Sequence, residues 1–243
     1  MSAQPQSREL EFNLQAPSAL SKYCEARAPL EAMTLFPAAP WLMSMPRGDG
    51  RQVMCVPGFL ANDSSTWPLR QYLNFLGYES LPWSQGQNRG RPEKDAEVLL
   101  EHILDVRNGE NRITLIGWSL GGVIAREVAR LAPDVVREVI TYGTPVEGGP
   151  KYTSTAQLYA GRRGLDLDAF EDYIHSVNLK GISQPLTVIY SKSDGIVGWR
   201  AAIDRYNPQT RHIRVPGSHI GMGTNPLVWR AIAKTLRKSR TPA

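Results

Sequence analysis

A serine in this chain stands in the kind of position that nucleophilic catalysis requires. Ser119 lies in the run Gly117–Gly122 (GWSLGG), between a predicted strand and a predicted helix. Glycines on both sides allow the chain to reverse within a few residues, because they have no Cβ atom that would collide across the turn. A G-x-S-x-G motif in this strand–turn–helix context indicates a serine nucleophile. The alternative is a serine that only caps the helix.

A serine hydroxyl is a weak nucleophile unless a base takes its proton during the attack. The chain has four histidines. His219 follows the last predicted strand in VPGSHIGMG, a loop that can bring it to the sheet edge near Ser119, so we predict that His219 is the base. We expect structural or surface roles for the other three, which are His102, His175 and His212.

The imidazole in turn needs a carboxylate that fixes its tautomer and stabilises its protonated form. Asp194 lies in SKSDGIV, directly after a predicted strand, and it precedes His219 in the chain. The order serine, aspartate, histidine is typical of one large class of serine enzymes. We therefore predict that Asp194 is the acid. The competing carboxylates are better explained as solvated charges or helix caps; they are Asp166, Asp168, Glu171, Asp172 and Asp204.

Acyl transfer also needs N–H groups that stabilise a negatively charged oxygen. The backbone N–H of Leu120, directly after the serine, is the first predicted donor. The second is expected in the sharp turn Pro57–Leu60 (PGFL), where the backbone N–H of Phe59 is our candidate. Alternatively, this turn only delivers an aromatic side chain to the core.

Strands and helices alternate along the chain and would position these residues. Apolar and β-branched runs predict strands at 52–56, 78–83, 112–118, 135–142, 185–190 and 212–215. Amphipathic stretches with stop signals predict helices at 67–76, 92–107, 120–131 and 225–238. The alternation is typical of right-handed βαβ units. The predicted fold class is therefore α/β, with a mostly parallel sheet and helices on both faces.

Two parts of the chain depart from this alternation. Residues 1–50 are predicted to form an N-terminal extension packed on or near the core, with a helix over 19–35 that Pro29 disturbs. Residues 51–243 are predicted to form the main domain. Within it, the polar and glycine-rich stretch 144–184 is too polar for core and is expected to form a small cap or lid.

Composition and motifs limit the other functional classes. Neither HExxH nor CxxC occurs, so we expect no metal site, and no P-loop occurs. Two cysteines are too few for a disulfide framework. The net charge is +5, but the basic residues are spread out, which argues against nucleic acid as a partner. No run of about 20 apolar residues predicts a membrane span. Since the N-terminus lacks the pattern of a secretory signal, we expect a cytoplasmic protein.

In these same segments the sequence resembles the lipase/esterase branch of the α/β-hydrolase family. The similar segments lie within about residues 50–238 and are VPGFLAN, IGWSLGG, YGTPVEGG, YSKSDGIV and GSHIGM. The resemblance implies the α/β-hydrolase fold, a small-molecule carboxylic ester with an apolar acyl group as substrate, an acyl-enzyme at Ser119 and no cofactor.

The sequence departs from the family pattern at three places. Pro57-Gly58 stands where many relatives have His-Gly, and Trp118 occupies a position often held by histidine. Both differences are expected to reshape the acyl pocket. Residues 1–50 leave no room for a regular first hairpin, so we expect a shortened sheet. The residues that would line an acyl groove, or else form plain core, are Phe59, Leu60, Trp67, Tyr152, Leu158, Tyr159 and Phe170.

Two alternatives to an esterase stay open at this level. A thioesterase, lactonase or acyltransferase can use the same three residues, because a triad does not identify the leaving group. A non-catalytic protein of the same fold, whose pocket binds a ligand, is the other alternative.

Overall fold

One parallel sheet organises the structure, a computed structural model that describes residues 13–238 of the chain. Its strands are β1 (Gln52–Val56), β2 (Glu79–Pro82), β3 (Ile113–Trp118), β4 (Val136–Tyr142), β5 (Leu186–Tyr190) and β6 (Arg211–Arg214). They lie in the order β2-β1-β3-β4-β5-β6, and every neighbouring pair is parallel. The prediction of a mostly parallel sheet is confirmed, and each predicted strand is present to within one residue at either end.

Helices cover both faces of this sheet. They are α1 (Ala19–Tyr23), α2 (Ala28–Met33), α3 (Leu35–Met43), α4 (Asp63–Leu76), α5 (Pro92–Val106), α6 (Leu120–Leu131), α7 (Ala156–Arg163), α8 (Leu167–Asn178) and α9 (Pro226–Lys238). Helix α4 begins four residues earlier than predicted, because the side chain of Asn62 caps it by accepting a hydrogen bond from the N–H of Ser64 at 3.0 Å. The helix predicted over 120–131 is confirmed at both ends.

The hydrophobic core is divided by the sheet into two clusters. Successive residues of a strand point to opposite faces, so Val53 and Cys55 join α4 and α9 on one face, while Met54 joins α5 and α6 on the other. Strand β3 is fully buried over its first five residues. Burial on both faces explains why this strand is a continuous apolar run.

The described part of the N-terminal extension is helical but not one helix. The helix predicted over 19–35 with a disturbed middle is present as α1, a 3₁₀ turn at Cys24–Arg27 and α2, and α3 begins at Leu35. Pro29 lies in the first turn of α2, where its missing N–H would have no helical partner. Residues 1–12 of the extension lie outside the described residues.

Helix α3 joins this extension to the core. Leu42 is buried in the core cluster of α4 and α9, and the Tyr72 hydroxyl donates to its carbonyl at 3.1 Å. Between residues 13 and 51 there is no strand, so the sheet lacks a first hairpin there, as expected.

The stretch 144–184 contains more structure than the sequence indicates. It forms a 3₁₀ turn at Gly149–Tyr152 and the helices α7 and α8. Tyr159 and Phe170 are buried in a small cluster that packs against Phe59 and Leu120. The expectation that this stretch is too polar for core is therefore wrong, because its few apolar residues share one side of two helices.

None of the helices within residues 13–238 combines the length and the apolar character that crossing a bilayer would need.

Candidate active site

Ser119 lies in a strained turn between β3 and α6. Its φ is 54° and its ψ is −124°, a region that residues with a side chain rarely adopt. Two hydrogen bonds hold the turn: the Ser119 N–H donates to the Tyr142 carbonyl at 2.9 Å, and the Thr144 hydroxyl donates to the Ser119 carbonyl at 2.9 Å. Such strain persists only where the surrounding structure fixes it, and it is often found at functional sites.

The glycines beside Ser119 are required by close backbone packing. A Cβ atom on Gly117 would lie 2.3 Å from the Cα of Gly122, and one on Gly121 would lie 2.2 Å from the carbonyl oxygen of Val56. Both neighbours are backbone atoms, which cannot move without moving the sheet. The prediction that these glycines prevent collisions across the turn is confirmed for Gly117, whereas Gly121 prevents a collision with the neighbouring strand β1.

His219 and Asp194 meet at the carboxyl edge of the same sheet. The Nδ1 atom of His219 lies 2.8 Å from the Oδ2 atom of Asp194, and both residues are buried. The other oxygen, Oδ1, accepts the backbone N–H groups of Ile196 and Val197 at 2.8 and 2.7 Å. The carboxylate is thus fixed by its own loop, and its bond to Nδ1 leaves Nε2 of the imidazole for another partner.

The electrostatic surroundings of His219 favour its protonated form. Burial by itself lowers the pKa of His219, but the charge of Asp194, its hydrogen bond and the charge of Glu25 act in the opposite direction. Their sum raises the pKa of His219 above its usual value of 6.5. A buried imidazole with this partner is suited to receive a proton during a reaction.

Trp118 packs against the imidazole. Its ring is stacked on Tyr142 with a centroid distance of 5.9 Å, and it lies 6.1 Å from the ring of His219. Trp118 is not among the residues that line the pocket beside Ser119. Its ring lies beside the base, and whether it shapes an acyl pocket stays a prediction.

The turn after β1 lies next to the serine. A Cβ atom on Gly58 would be 3.2 Å from the Cβ of Ser119. The backbone N–H groups of Phe59 and Leu120 have no acceptor among residues 13–238. Two N–H groups left unpaired on either side of a serine are available to a ligand oxygen.

A pocket opens beside Ser119, between the sheet edge and the helices of stretch 144–184. Phe59, Leu120, Tyr159 and Phe170 belong to its wall. Its further apolar lining includes Val123, Pro145, Val146, Ile174, Val177 and Val197. Three of the seven residues that the sequence suggested for a groove are thus in place, namely Phe59, Tyr159 and Phe170. Two of the other four are largely exposed, Trp67 by 55% and Leu158 by 47%, and Leu60 and Tyr152 do not line the pocket.

The rival histidines have other partners. His175 Nδ1 lies 2.9 Å from the hydroxyl of Tyr206, and His212 Nε2 accepts the N–H of Asp204 at 3.1 Å. His102 lies on α5, which precedes β3 in the chain, whereas His175 and His212 follow β3.

The rival carboxylates are mostly as expected, with one exception. Asp166 caps α8, and Asp168 pairs with Lys151. The interpretation of Asp204 as a solvated charge is wrong, because its carboxylate is buried against Arg126 at 2.7 Å. Its other oxygen accepts the N–H groups of Tyr206 and Asn207 at 2.9 and 3.2 Å, as a capping side chain does. No group of three or more His, Cys, Asp and Glu side chains in the described chain is arranged to hold a metal ion.

Solved structures of hydrolases share this architecture. An α/β superfamily hydrolase from Oenococcus oeni PSU-1 superposes with a TM-score of 0.59 and 15% identity, over 80% of this chain and 94% of that chain. A monoacylglycerol lipase from Paleococcus ferrophilus gives a TM-score of 0.59 and 18% identity, over 80% of this chain and 97% of that chain. The chain has the α/β-hydrolase fold.

Sequence similarity to curated proteins is shorter. A triacylglycerol lipase from Pseudarthrobacter phenanthrenivorans is 39% identical over 64 residues, which are 26% of this chain and 20% of that protein. A triacylglycerol lipase from Burkholderia plantarii is also 39% identical over 64 residues, or 18% of its length. The chain thus spans about a fifth of the length of the curated relatives that it matches. No protein-family model matches it.

Within the α/β-hydrolase fold, sequence reasoning missed several residues that hold the site. The buried side chain of Asn88 donates to the carbonyl of Pro57 at 2.9 Å, and its backbone carbonyl accepts the N–H of Leu60 at 2.8 Å. Asn88 therefore braces the turn that carries Phe59. An asparagine in a Gly- and Arg-containing loop gives no signal of this role. Thr144, which holds the carbonyl of Ser119, enters the sequence analysis only as a letter of the segment YGTPVEGG.

Proposed function

We propose that this protein hydrolyses carboxylic esters through an acyl-enzyme on Ser119, with His219 as base and Asp194 as acid. The observation that carries the proposal is the buried His219–Asp194 pair, 2.8 Å apart, at the sheet edge that also presents a strained serine. A strained serine alone could be a structural turn. A strained serine on the same edge as a hydrogen-bonded His–Asp pair is the arrangement that nucleophilic acyl transfer requires.

The reaction would follow from these positions. As Ser119 Oγ attacks the ester carbonyl carbon, His219 Nε2 takes the hydroxyl proton, and Asp194 stabilises the imidazolium through Nδ1. The intermediate collapses, the C–O bond to the alcohol breaks, and His219 gives its proton to the leaving alcohol. Water then attacks the acyl-enzyme, His219 takes a proton from it, and release of the acid restores the Ser119 hydroxyl.

The oxyanion would bind between two backbone N–H groups. Phe59 and Leu120 supply them, and Asn88 fixes the turn that contains Phe59. A donor of this kind contributes about 3 kcal/mol to stabilising a transition state. Because both donors are backbone groups, the change from His-Gly to Pro57-Gly58 leaves this role intact.

The pocket supports an apolar acyl group as part of the substrate. Its wall consists mainly of aromatic and aliphatic side chains, and these favour an apolar group. Besides Ser119, the polar residues that line it are Arg126, Glu127, Thr153, Thr155 and Asn178. The curated relatives are named triacylglycerol lipases, which supports a carboxylic ester as the substrate. The fold does not decide the leaving group, since a thioesterase domain from the curacin biosynthetic pathway shares it with a TM-score of 0.52 and 14% identity.

Hydrolysis of a p-nitrophenyl ester series of increasing acyl length tests the proposal. Ser119→Ala should lower kcat by at least about 10³-fold. The matched control is Ser176→Ala, an exposed serine on α8, which should keep wild-type activity. Parallel assays with an acyl thioester and a lactone identify the leaving group. Turnover that survives in Ser119→Ala would contradict the proposal, and a folded wild type that cleaves none of these substrates would favour a ligand-binding protein.

A further inference from the structure

A carboxylate from the N-terminal extension reaches both loops that carry the acid and the base. Glu25 Oε1 accepts the backbone N–H of Gly195 at 2.7 Å and that of His219 at 2.8 Å. Its Oε2 accepts the N–H of Ile220 at 2.9 Å. Gly195 directly follows Asp194. One side chain therefore joins the two loops that must meet for the His219–Asp194 pair to form.

A second carboxylate of the same extension holds the neighbouring residue. The N–H of Ser218 donates to both carboxylate oxygens of Glu31, at 3.1 and 3.0 Å. The hydroxyl of Ser218 donates to Glu31 Oε2 at 2.7 Å. Arg27 Nε donates to Glu31 at 2.6 Å. Glu31 itself bonds only to the loop of His219 (the base loop), and it reaches the loop of Asp194 (the acid loop) only through Arg27, whose Nη2 donates to the carbonyl of Ser193 at 3.4 Å. Glu25 bonds directly to both loops.

The fit between the extension and these loops is close. A Cβ atom on Gly195 would lie 2.2 Å from the carbonyl of Ser21, and one on Gly221 would lie 1.7 Å from the carboxylate of Glu31. Residues 191–210, which include Asp194, contain neither helix nor strand. The two loops are also joined directly, since the Ser191 hydroxyl donates to the carbonyl of Gly217 at 2.6 Å. The bonds that Glu25 adds between them are made to a carboxylate, and such hydrogen bonds are about twice as strong as neutral ones.

We propose that Glu25 is a positioning residue of the active site, which holds Asp194 and His219 in register by accepting N–H groups from both of their loops. The inference rests on the proposed function, because it assigns a role within that reaction. Glu25 does not line the substrate pocket. Its loss should therefore reduce kcat and leave KM nearly unchanged.

Because Glu25 is charged, its positioning role predicts a change in pH dependence that a purely packing role would not. Charged groups near the imidazole are Asp194, Glu25, and the pair formed by Glu31 and Arg27. The negative charge of Glu25 raises the pKa of His219. Neutralising it should therefore lower the pKa of His219, so that activity persists to lower pH.

The test compares Glu25→Gln with Glu101→Gln, an exposed residue of α5 far from both loops in sequence. Glutamine keeps the shape of glutamate but loses its charge and one acceptor. We expect kcat of Glu25→Gln to fall about 10- to 100-fold, the range for a small misplacement of reacting groups. The acid limb of its pH profile should move to lower pH. Glu101→Gln should match the wild type in both respects. Glu25→Asp, which keeps the charge on a shorter chain, should lose rate but keep the acid limb.

An NMR titration separates failure of this inference from failure of the proposed function. The Cε1–H resonance of His219 can be assigned among four histidines by His219→Gln, and its pKa needs no turnover. We expect a lower pKa in Glu25→Gln than in the wild type, even if no ester proves to be a substrate. A folded Glu25→Gln with unchanged kcat and unchanged His219 pKa would overturn the inference. If Glu25→Gln does not fold, wild-type kcat in Glu25→Asp would overturn it instead.

Discussion

The nucleophile and the base of the candidate site are held by different means. Ser119 is fixed by its own backbone, between a strand whose first five residues are buried and a helix, with glycines packed against backbone atoms on either side. His219 lies in a loop between β6 and a 3₁₀ turn. Side chains that are distant in sequence, Asp194 and Glu25, hold it there.

This difference predicts two kinds of sensitivity. Gly117 and Gly121 beside Ser119 have no room for a side chain, so substitutions of these glycines should affect folding before chemistry. The base is held by hydrogen bonds and charge, so substitutions there should leave the fold and change rate or pH dependence in graded steps.

The largest effect is expected at Gly121. Its alanine variant would place a Cβ atom 2.2 Å from the Val56 carbonyl, so we expect a loss of at least about 4 kcal/mol in the free energy of unfolding. Urea denaturation measures it. Gly161→Ala on α7 is the matched control, because its Cβ meets nothing within 4 Å; it should stabilise the protein by about 0.5–1 kcal/mol. Equal urea midpoints for the two variants would contradict the claim that the turn around Ser119 has no room for a side chain at Gly121.

A large effect without unfolding is expected at Asp194. Asparagine in its place keeps the shape but favours the wrong tautomer of His219, so kcat should fall by about 10³- to 10⁴-fold. Steady-state ester hydrolysis, with circular dichroism to check the fold, measures this. Asp172→Asn changes an exposed carboxylate of α8 and should retain full activity. A loss below tenfold in Asp194→Asn would mean that another carboxylate supports the base.

The pH dependence of kcat/KM should report the base directly. His219 acts only when neutral, so activity falls as pH drops through its pKa. Because Asp194 and Glu25 outweigh burial and raise that pKa, the acid limb should have its midpoint above 6.5 in the free enzyme. His212→Ala should leave this midpoint in place and the rate within severalfold of wild type. A profile that stays flat down to pH 4 would remove histidine from the base role.

The smallest effect is expected at Glu31, which contacts Ser218 but neither Asp194 nor His219. Glu31→Gln should lower kcat less than Glu25→Gln does, and it should move the acid limb less. Parallel pH profiles of the two variants measure the difference. If Glu31→Gln moves the acid limb further than Glu25→Gln does, the positioning role belongs to Glu31 and not to Glu25.

The parts of the fold that could be predicted are those with local patterns. The strands and the helix beside Ser119 follow from apolar runs, a glycine turn and stop signals, all within a few residues. The stretch 144–184 was predicted less well, because Tyr159 and Phe170 become core through contacts that include Phe59 and Leu120, about 40 to 110 residues away. The hydrogen bonds of Glu25 span 170 to 195 residues, and a single glutamate in a polar helical segment carries no local trace of them.

The candidate triad could be predicted because its members follow strand ends in a parallel sheet, where carboxyl ends meet at one edge. The prediction that Ser119, Asp194 and His219 act together remains a proposal about chemistry. Its supporting residues Asn88, Thr144 and Glu25 could not be predicted, since each acts through a backbone contact that depends on the assembled fold.

The most direct test of the central claim is covalent labelling by a fluorophosphonate probe, followed by intact mass measurement. Fluorophosphonates react with serines that a neighbouring base activates. We predict one adduct on the wild type, none on Ser119→Ala, and full labelling of the control Ser176→Ala. A folded wild type that stays unlabelled, or an adduct that persists in Ser119→Ala, would contradict the assignment of Ser119 as the nucleophile.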